Sequence, residues 1–380
     1  MRIRLERDVL ADAVAWAARS LPARPPVPVL AGLLVEAADS HLTLSSFDYE
    51  VSARVRVEAG VEESGTALVS GRLLAEISRS LPARPVTLTT EGTKVLLVCG
   101  SARFSLPTLP VEDYPSLPDM PAVSGTVRGS SFAAAVSQVA VAAGRDDTLP
   151  VLTGIRLEID GGKLTLAATD RYRLAVRELG WDPGSAEAQA VALIPARTLA
   201  DTAKALATGD VISLALSSGG VGEGLIGFEA EDASGSRRTT SRLLDGEFPK
   251  YRALLPSESA SVATIETAPF VEAVRRVALV AERNAPVRLS FTDGEVQLDA
   301  GAGDDAQASE ALEATLSGEA ITIAFNPQYL LDGLGAIDAP TAVLSFTTST
   351  KPAVLTGRSG DAAVATDDYR YLLMPVRLSG

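Results

Sequence analysis

The feature that most constrains this chain is an internal repeat. The stretch Pro28-Val29-Leu30-Ala31-Gly32-Leu33-Leu34-Val35-Glu36 returns as Pro150-Val151-Leu152-Thr153-Gly154-Ile155-Arg156-Leu157-Glu158. Leu42-Thr43-Leu44 and Phe47-Asp48-Tyr49 follow the first copy, and Leu164-Thr165-Leu166 and Thr169-Asp170-Arg171-Tyr172 follow the second. A third, weaker copy in phase reads Pro286-Val287-Arg288-Leu289-Ser290-Phe291, a turn at Asp293-Gly294, then Val296-Gln297-Leu298. The period is about 125 residues, longer than any solenoid unit. Duplication does not dictate function. It does offer pseudo-symmetric copies of one set of helices on a continuous surface.

Helical segments repeat in the same phase. Residues 6–21, 128–144 and 266–282 carry apolar residues at helical spacing. In the last of these Phe270, Val271, Val274, Val277 and Ala278 share a face, and Glu272, Arg275 and Arg276 spread around the other side. The pattern predicts second helices at about 70–81, 195–207 and 326–337. The third of these opens on Asn326-Pro327, an N-cap followed by proline at the first helical position. Short alternating strands separated by turns such as Gly161-Gly162 fill the rest, roughly eight per copy. Pro/Ser-rich stretches at Pro115–Pro121 and Pro256–Ser259 read as linkers. The expectation is an α+β protein of three repeated domains with antiparallel sheets, at 1–121, 122–257 and 258–380.

Composition narrows the function classes. Hydrophobic residues reach 46% but aromatics only 5%, so the cores rest on Leu, Val, Ile and Ala. No apolar run approaches the roughly 20 residues that span a bilayer. The N-terminus mixes charges at once and lacks the apolar core of a signal peptide, so a cytoplasmic location is the simplest expectation. The single cysteine, Cys99, sits in an apolar strand-like run and reads as a buried structural thiol. The single histidine, His41, reads as an exposed turn residue. These two counts exclude most His- or Cys-rich metal sites, and no cofactor is expected. Gly222-Glu223-Gly224-Leu225-Ile226-Gly227 matches a dinucleotide fingerprint formally, but strand-like runs flank it on both sides, which makes it a hairpin. A phosphate-binding loop of the G-x-x-x-x-G-K-[ST] type is absent, and a serine triad would have to use His41. The net charge of -14 runs against DNA binding in bulk, though a local basic face can coexist with an acidic exterior.

Six stretches, in order and from end to end, resemble the bacterial beta sliding clamp family, the beta subunit of DNA polymerase III. They are the N-terminal helix, Arg24–Leu30, Arg103–Pro110, Ala168–Ala175, Phe248–Arg252 and Met374–Leu378. The resemblance implies a head-to-tail homodimer closed into a six-domain ring, with helices lining the hole and sheets outside. It implies a non-catalytic processivity factor for replication and repair. That factor encircles duplex DNA and tethers the replicative polymerase, the clamp loader and other clamp-binding proteins. Two other readings stay open on residues alone. One is an enzyme using a pair of carboxylates, and the other is a β-rich scaffold that binds proteins but not DNA.

Three sites follow from the clamp reading. A sliding ring needs phosphate contacts, which hold a duplex without reading its sequence. Arg24, Arg72 and Arg197 are the candidates, and Arg145 and Arg283 extend the set. Arg72 and Arg197 open equivalent second helices, where the third copy has Gln328. As single residues all are equally readable as solvated surface arginines. A pocket for partner peptides, and for peptide inhibitors, is implied at Leu152, Thr169, Arg171, Tyr172, Arg173 and Leu174. Pro249 and Leu254, then Leu372, Leu373, Met374, Pro375, Val376, Arg377 and Leu378, would complete it. Leu, Met and Pro there would seat the anchors of an extended peptide, with Arg173 at the rim. The chain departs from the family at Arg171-Tyr172, where Gly-His is common, and at Ala253, where many members have a second Arg. The ring joint would oppose Arg103 to Asp304, Asp305, Glu310 and Glu313.

Overall fold

The computed structural model describes residues 1–217, 224–232, 235–281, 285–301, 306–360 and 368–377. The first copy runs β1 (Arg2–Leu5), α1 (Arg7–Ala17), β2 (Gly32–Ala38), β3 (His41–Phe47), β4 (Val51–Glu58), β5 (Gly60–Glu63), β6 (Gly65–Ser70), α2 (Gly71–Ser80), β7 (Val86–Glu91), β8 (Lys94–Cys99) and β9 (Ala102–Leu109). The second runs β10 (Val123–Arg128), α3 (Gly129–Ala140), β11 (Gly154–Asp160), β12 (Lys163–Thr169), β13 (Arg173–Gly180), β14 (Asp182–Pro183), β15 (Gln189–Pro195), α4 (Ala196–Leu206), β16 (Val211–Leu216), β17 (Leu225–Asp232) and β18 (Gly235–Arg242). The third runs β19 (Ser261–Glu266), α5 (Thr267–Val277), β20 (Val287–Thr292), β21 (Gly294–Ala300), β22 (Ala308–Ser317), β23 (Ile321–Phe325), α6 (Pro327–Gly335), β24 (Thr341–Phe346), β25 (Ala353–Arg358) and β26 (Tyr369–Leu373). All six helices fall where the spacing predicts them.

Periodicity explains the elements. In β4, Ala53, Val55 and Val57 are buried while Arg54, Arg56 and Glu58 face solvent, the period of two that a half-buried strand requires. In α5, Phe270, Ala273, Val274 and Val277 are buried at helical spacing. Cys99 is fully buried, as its apolar run predicts. β16 and β17, the strands on either side of the glycine-rich motif, pair antiparallel. Gly222 and Glu223 lie outside the described residues. His41 differs from expectation. It opens β3, and the turn before it is Asp39-Ser40, both with positive φ.

Strand pairing repeats along with the sequence. β1–β7, β10–β16 and β19–β24 are equivalent antiparallel pairs. So are β3–β4, β12–β13 and β21–β22, and β8–β9, β17–β18 and β25–β26. Two further pairs join one copy to the next: β4 with β18, and β13 with β26. In each, the strand that ends one three-strand meander pairs with the last strand of the following copy.

The chain packs as two compact units, Met1–Ala133 with Trp181–Ala188 and Thr198–Leu243, and Ala134–Gly180 with Gln189–Arg197 and Leu244–Gly380. The first holds a continuous 14-stranded order from β14 to β5, and α1 packs against α2. The second holds a 12-stranded order from β15 to β23, and α5 packs against α6. The packing units cut across the middle copy, because each of its sheets is hydrogen-bonded to a different neighbour.

The last helix carries side chains of the site described next, and its start is well capped. Asn326 accepts hydrogen bonds from the Gln328 and Tyr329 amides at 2.9 and 3.2 Å. Pro327 takes the position where a missing amide costs nothing. Replacing Asn326 by Ala is expected to cost about 1 kcal/mol in urea unfolding, with Asn326→Asp close to the parent. An unchanged midpoint for the alanine variant would contradict this.

Candidate functional site

In the second unit, the turn between β12 and β13 faces the first turns of α6. Asp170 builds the turn. Its Oδ1 accepts the Tyr172 and Arg173 amides at 3.0 and 3.1 Å. The Asp170 amide donates to the Arg173 carbonyl. This geometry puts Arg171 at φ 80°, in the left-handed region where a Cβ is unfavourable. The first copy makes the same turn with Asp48, whose Oδ1 accepts from Glu50 and Val51, and it puts Tyr49 at φ 74°. Glycine at the Arg171 position would suit that backbone without strain.

Arg173 occupies the floor. Its side chain is only 5% exposed and meets Asp170 at 2.9 Å and Asp332 of α6 at 2.5 Å. The guanidinium also lies 4.3 Å from the centre of the Tyr329 ring. Burial opposes its charge, but Tyr371, Asp332 and Asp170 more than offset that and raise its pKa, so it stays ionised. Burial likewise pushes the Tyr371 phenol up, and its hydroxyl donates to the Tyr329 carbonyl at 2.8 Å. Gln328 donates to the other oxygen of Asp332. The sequence expectation of Arg173 as a rim group is therefore corrected. Two carboxylates already satisfy it beneath the surface, because an unpaired buried charge is too costly.

Around this floor lies a cleft of about 520 Å³. Leu149, Leu152, Arg171 and Tyr172 line one side, and Gln328 and Tyr329 the other. The Tyr172 and Tyr329 rings stack with centroids 6.3 Å apart, and Tyr172 leaves 55% of its surface exposed. The C-terminal segment is tied alongside. The Met374 amide donates to the Tyr172 carbonyl, and the Val376 amide to the Ala324 carbonyl, at 2.9 and 2.8 Å. Met374 and Arg377 are exposed, with Pro375 and Val376 half-buried. Leu378 lies outside the described residues.

Most of the remaining expected pocket residues lie deeper. Thr169 and Leu373 are buried, and Leu174 and Leu372 belong to a core cluster with Phe248 and Tyr251. The segment bearing Pro249 and the exposed Leu254 packs on that cluster through Leu255. Tyr329, Asp332 and Leu149 were not expected. Gln328 and Asp332, four residues apart on the face of α6 away from buried Leu330 and Leu334, were the available signal. A larger recess of about 1240 Å³ in the first unit is lined by Arg4, Glu6, His41, Arg56, Glu58 and Glu231, among others. It has charges of both signs around an open rim and no aromatic floor, so the smaller cleft is the better binding site.

Of the expected DNA-contacting arginines, Arg24, Arg72, Arg145 and Arg197 are exposed. Arg72 is the second residue of α2 and donates to the Pro22 and Ala23 carbonyls at 3.2 and 2.8 Å, beside Arg24. Arg197 is the second residue of α4, in register with Gln328 of α6. Arg145 instead lines the cleft mouth, and Arg283 lies outside the described residues. At the expected joint, Arg103 is on β9 and Glu310 and Glu313 are on β22. Glu310 pairs with Arg276 at 2.5 Å. Asp304 and Asp305 lie outside the described residues. Leu279, just after α5, was not expected to matter, yet it is 84% exposed, the most exposed of the large apolar residues described.

The turn supplies a test. Arg171→Gly relieves the left-handed strain and is expected to stabilise the protein by about 1 kcal/mol. A thermal midpoint that fails to rise would contradict the strain assignment.

Comparison with known proteins places this architecture. Family models for the N-terminal, central and C-terminal domains of the DNA polymerase III beta subunit match residues 1–118, 126–250 and 252–377. The chain is 67% identical over 380 residues to the beta sliding clamp of Streptomyces coelicolor, covering 100% of both chains. It is 51% identical over 377 residues to the beta sliding clamp homolog GriR of Streptomyces muensis, covering 99% of both. The solved DnaN sliding clamp of Pseudomonas aeruginosa bound to griselimycin superposes with a TM-score of 0.89 at 27% identity, covering 100% of both. With a repeat, a fold and three consecutive domains all in agreement, the chain belongs to the DNA polymerase III beta subunit family, the beta sliding clamps.

Proposed function

We propose that this chain acts as a cytoplasmic homodimeric ring that encircles duplex DNA and tethers the replicative polymerase. Its three clamp domains are 1–121, 122–257 and 258–380. The observation that carries the ring is a pair of half-open strand edges. β9 pairs with β8 along its length but meets β6 only at Thr108 and Leu109. β22 pairs with β21, and with β19 only over Thr315–Ser317. β9 is the counterpart of β18 and β26, and β22 is the counterpart of β4 and β13. Inside the chain those counterparts pair with each other. A β22–β9 pair between two chains repeats the same junction twice and leaves neither edge open. Arg103 on β9 faces acidic β22 across that joint. Exposed Leu279 lies beside it, three residues past Arg276, which holds Glu310.

Arg24, Arg72 and Arg197 supply sequence-independent phosphate contacts inside the ring. No step is catalytic. The cleft at Tyr172 and Tyr329, continued by Met374 and Pro375, takes the apolar anchors of an extended partner peptide from the polymerase, the clamp loader or other clamp-binding proteins. The P. aeruginosa clamp was solved bound to griselimycin, which supports a ligand site on this fold.

The decisive experiment loads the protein on closed circular duplex and then linearises it. Encirclement predicts retention on the circle and release from the linear form. Leu279→Asp should shift the dimer to monomer in sedimentation and abolish retention, and a dimeric variant would refute the joint. Arg24→Glu with Arg197→Glu should weaken DNA association in low salt. The slope of log affinity against log salt should fall by about 2, roughly 0.9 per lost phosphate contact. An unchanged slope would remove these arginines from the DNA surface.

A further inference from the structure

The segment Phe248–Leu255 leads from the second copy to the third. It carries Pro249 and Leu254, both assigned above to the peptide site. Phe248 and Tyr251 anchor it in the core cluster, while Leu254 stays 51% exposed. Apolar packing alone holds such a segment down without fixing how its short turn Tyr251–Leu254 is rotated. A polar device does that here. Glu158 of β11 accepts from Arg156 Nε at 2.5 Å through Oε1. Its Oε2 accepts from the Arg252 guanidinium and from the Tyr251 hydroxyl. Two residues of the turn are therefore held by one carboxylate oxygen.

Glu158 is only 8% exposed and does not line the cleft. Burial alone would push its carboxyl up, yet hydrogen bonds and charge from Arg156 and Arg252 hold it below the usual carboxylate range. Burial and the Glu158 charge push the Tyr251 phenol up to about 12, which keeps it a donor. A whole buried ion pair can often be replaced by apolar groups without loss of stability. The contribution of Glu158 lies in direction, since charge-assisted bonds to a guanidinium restrict geometry.

We infer that Glu158 is a positioning residue for partner-peptide binding: it orients the turn Tyr251–Leu254 so that Leu254 meets the bound peptide. The inference rests on the reading of this region as the peptide site. Supporting groups of this kind set how well a site is preorganised without touching its ligand.

The test uses the full-length protein and a fluorescein-labelled peptide bearing Leu and Phe anchors. Glu158→Gln is expected to weaken binding about 5-fold, chiefly through faster release. Arg252→Gln, at a side chain 64% exposed, should do the same and keeps the test open if Glu158→Gln folds poorly. Leu254→Ala should also weaken binding, and adding Glu158→Gln to it should cost less than about 2-fold more, because residues acting through one contact are not additive. Amide exchange at residues 251–254 should quicken in Glu158→Gln while β12 stays protected. Parental affinity in Arg252→Gln and Glu158→Gln, or an undiminished Glu158→Gln loss in the Leu254→Ala background, overturns the inference. A parent protein that leaves the peptide unbound overturns the reading of the site, and the inference with it.

Discussion

An antiparallel strand with one free edge leaves a row of backbone groups without partners, and everything in this protein depends on how those edges are filled. Each copy presents the outer strand of its β-meander on one side and its last strand on the other. β4 finds β18, and β13 finds β26, so the middle copy is satisfied at both ends. Its two sheets are thereby drawn into two different packing units. Of the strands equivalent to these, β9 and β22 are left only partly paired on one side among the described residues. Under the proposed function a second copy of the chain would supply partners for them without any new kind of contact, which is the physical reason a ring-forming dimer would suit three tandem copies.

The same duplication also creates differences. The turn after Asp48 and the turn after Asp170 have one backbone, but the second carries Arg173 where the first has Val51. In α6, Tyr329 and Asp332 stand where α4 has Thr198 and Asp201. A buried guanidinium shared by two carboxylates and covered by a tyrosine ring therefore forms at this turn and not at its counterpart. In that ion cluster the guanidinium is fully compensated by the two carboxylates. It ties the turn to α6, and under the proposed function recognition would fall to the exposed Tyr172, Met374 and Leu254. Under the proposed function a chain with a net charge of -14 would rely on a few arginines, such as Arg72 and Arg197 at helix starts, for local attraction to DNA.

Much of the architecture was legible before any coordinates. Helical spacing located all six helices, and the Asn326-Pro327 pair marked the start of α6 correctly, because caps depend on residues adjacent in sequence. Burial of Cys99 and the strands on either side of the glycine-rich motif were legible for the same reason. The left-handed Arg171 was not, since the aspartate turn that imposes it tolerates a non-glycine residue at a cost. Arg173 was misplaced at the rim because its second carboxylate lies 159 residues away. Tyr329 was missed because one aromatic on a short helix carries no pattern. Glu158 was hidden in a buried strand, with partners 94 residues further on.

The sequence by itself determined the threefold repeat, the order of helices and strands within each copy, and the absence of the usual catalytic motifs. These are properties of local spacing and composition, which neighbouring residues settle. Only the tertiary structure decided which strand edges stay half-open, which arginine is sealed beneath the cleft, and which leucines face outward. Those outcomes depend on contacts between residues far apart in the chain, where burial and charge pairing, not local preference, choose the arrangement.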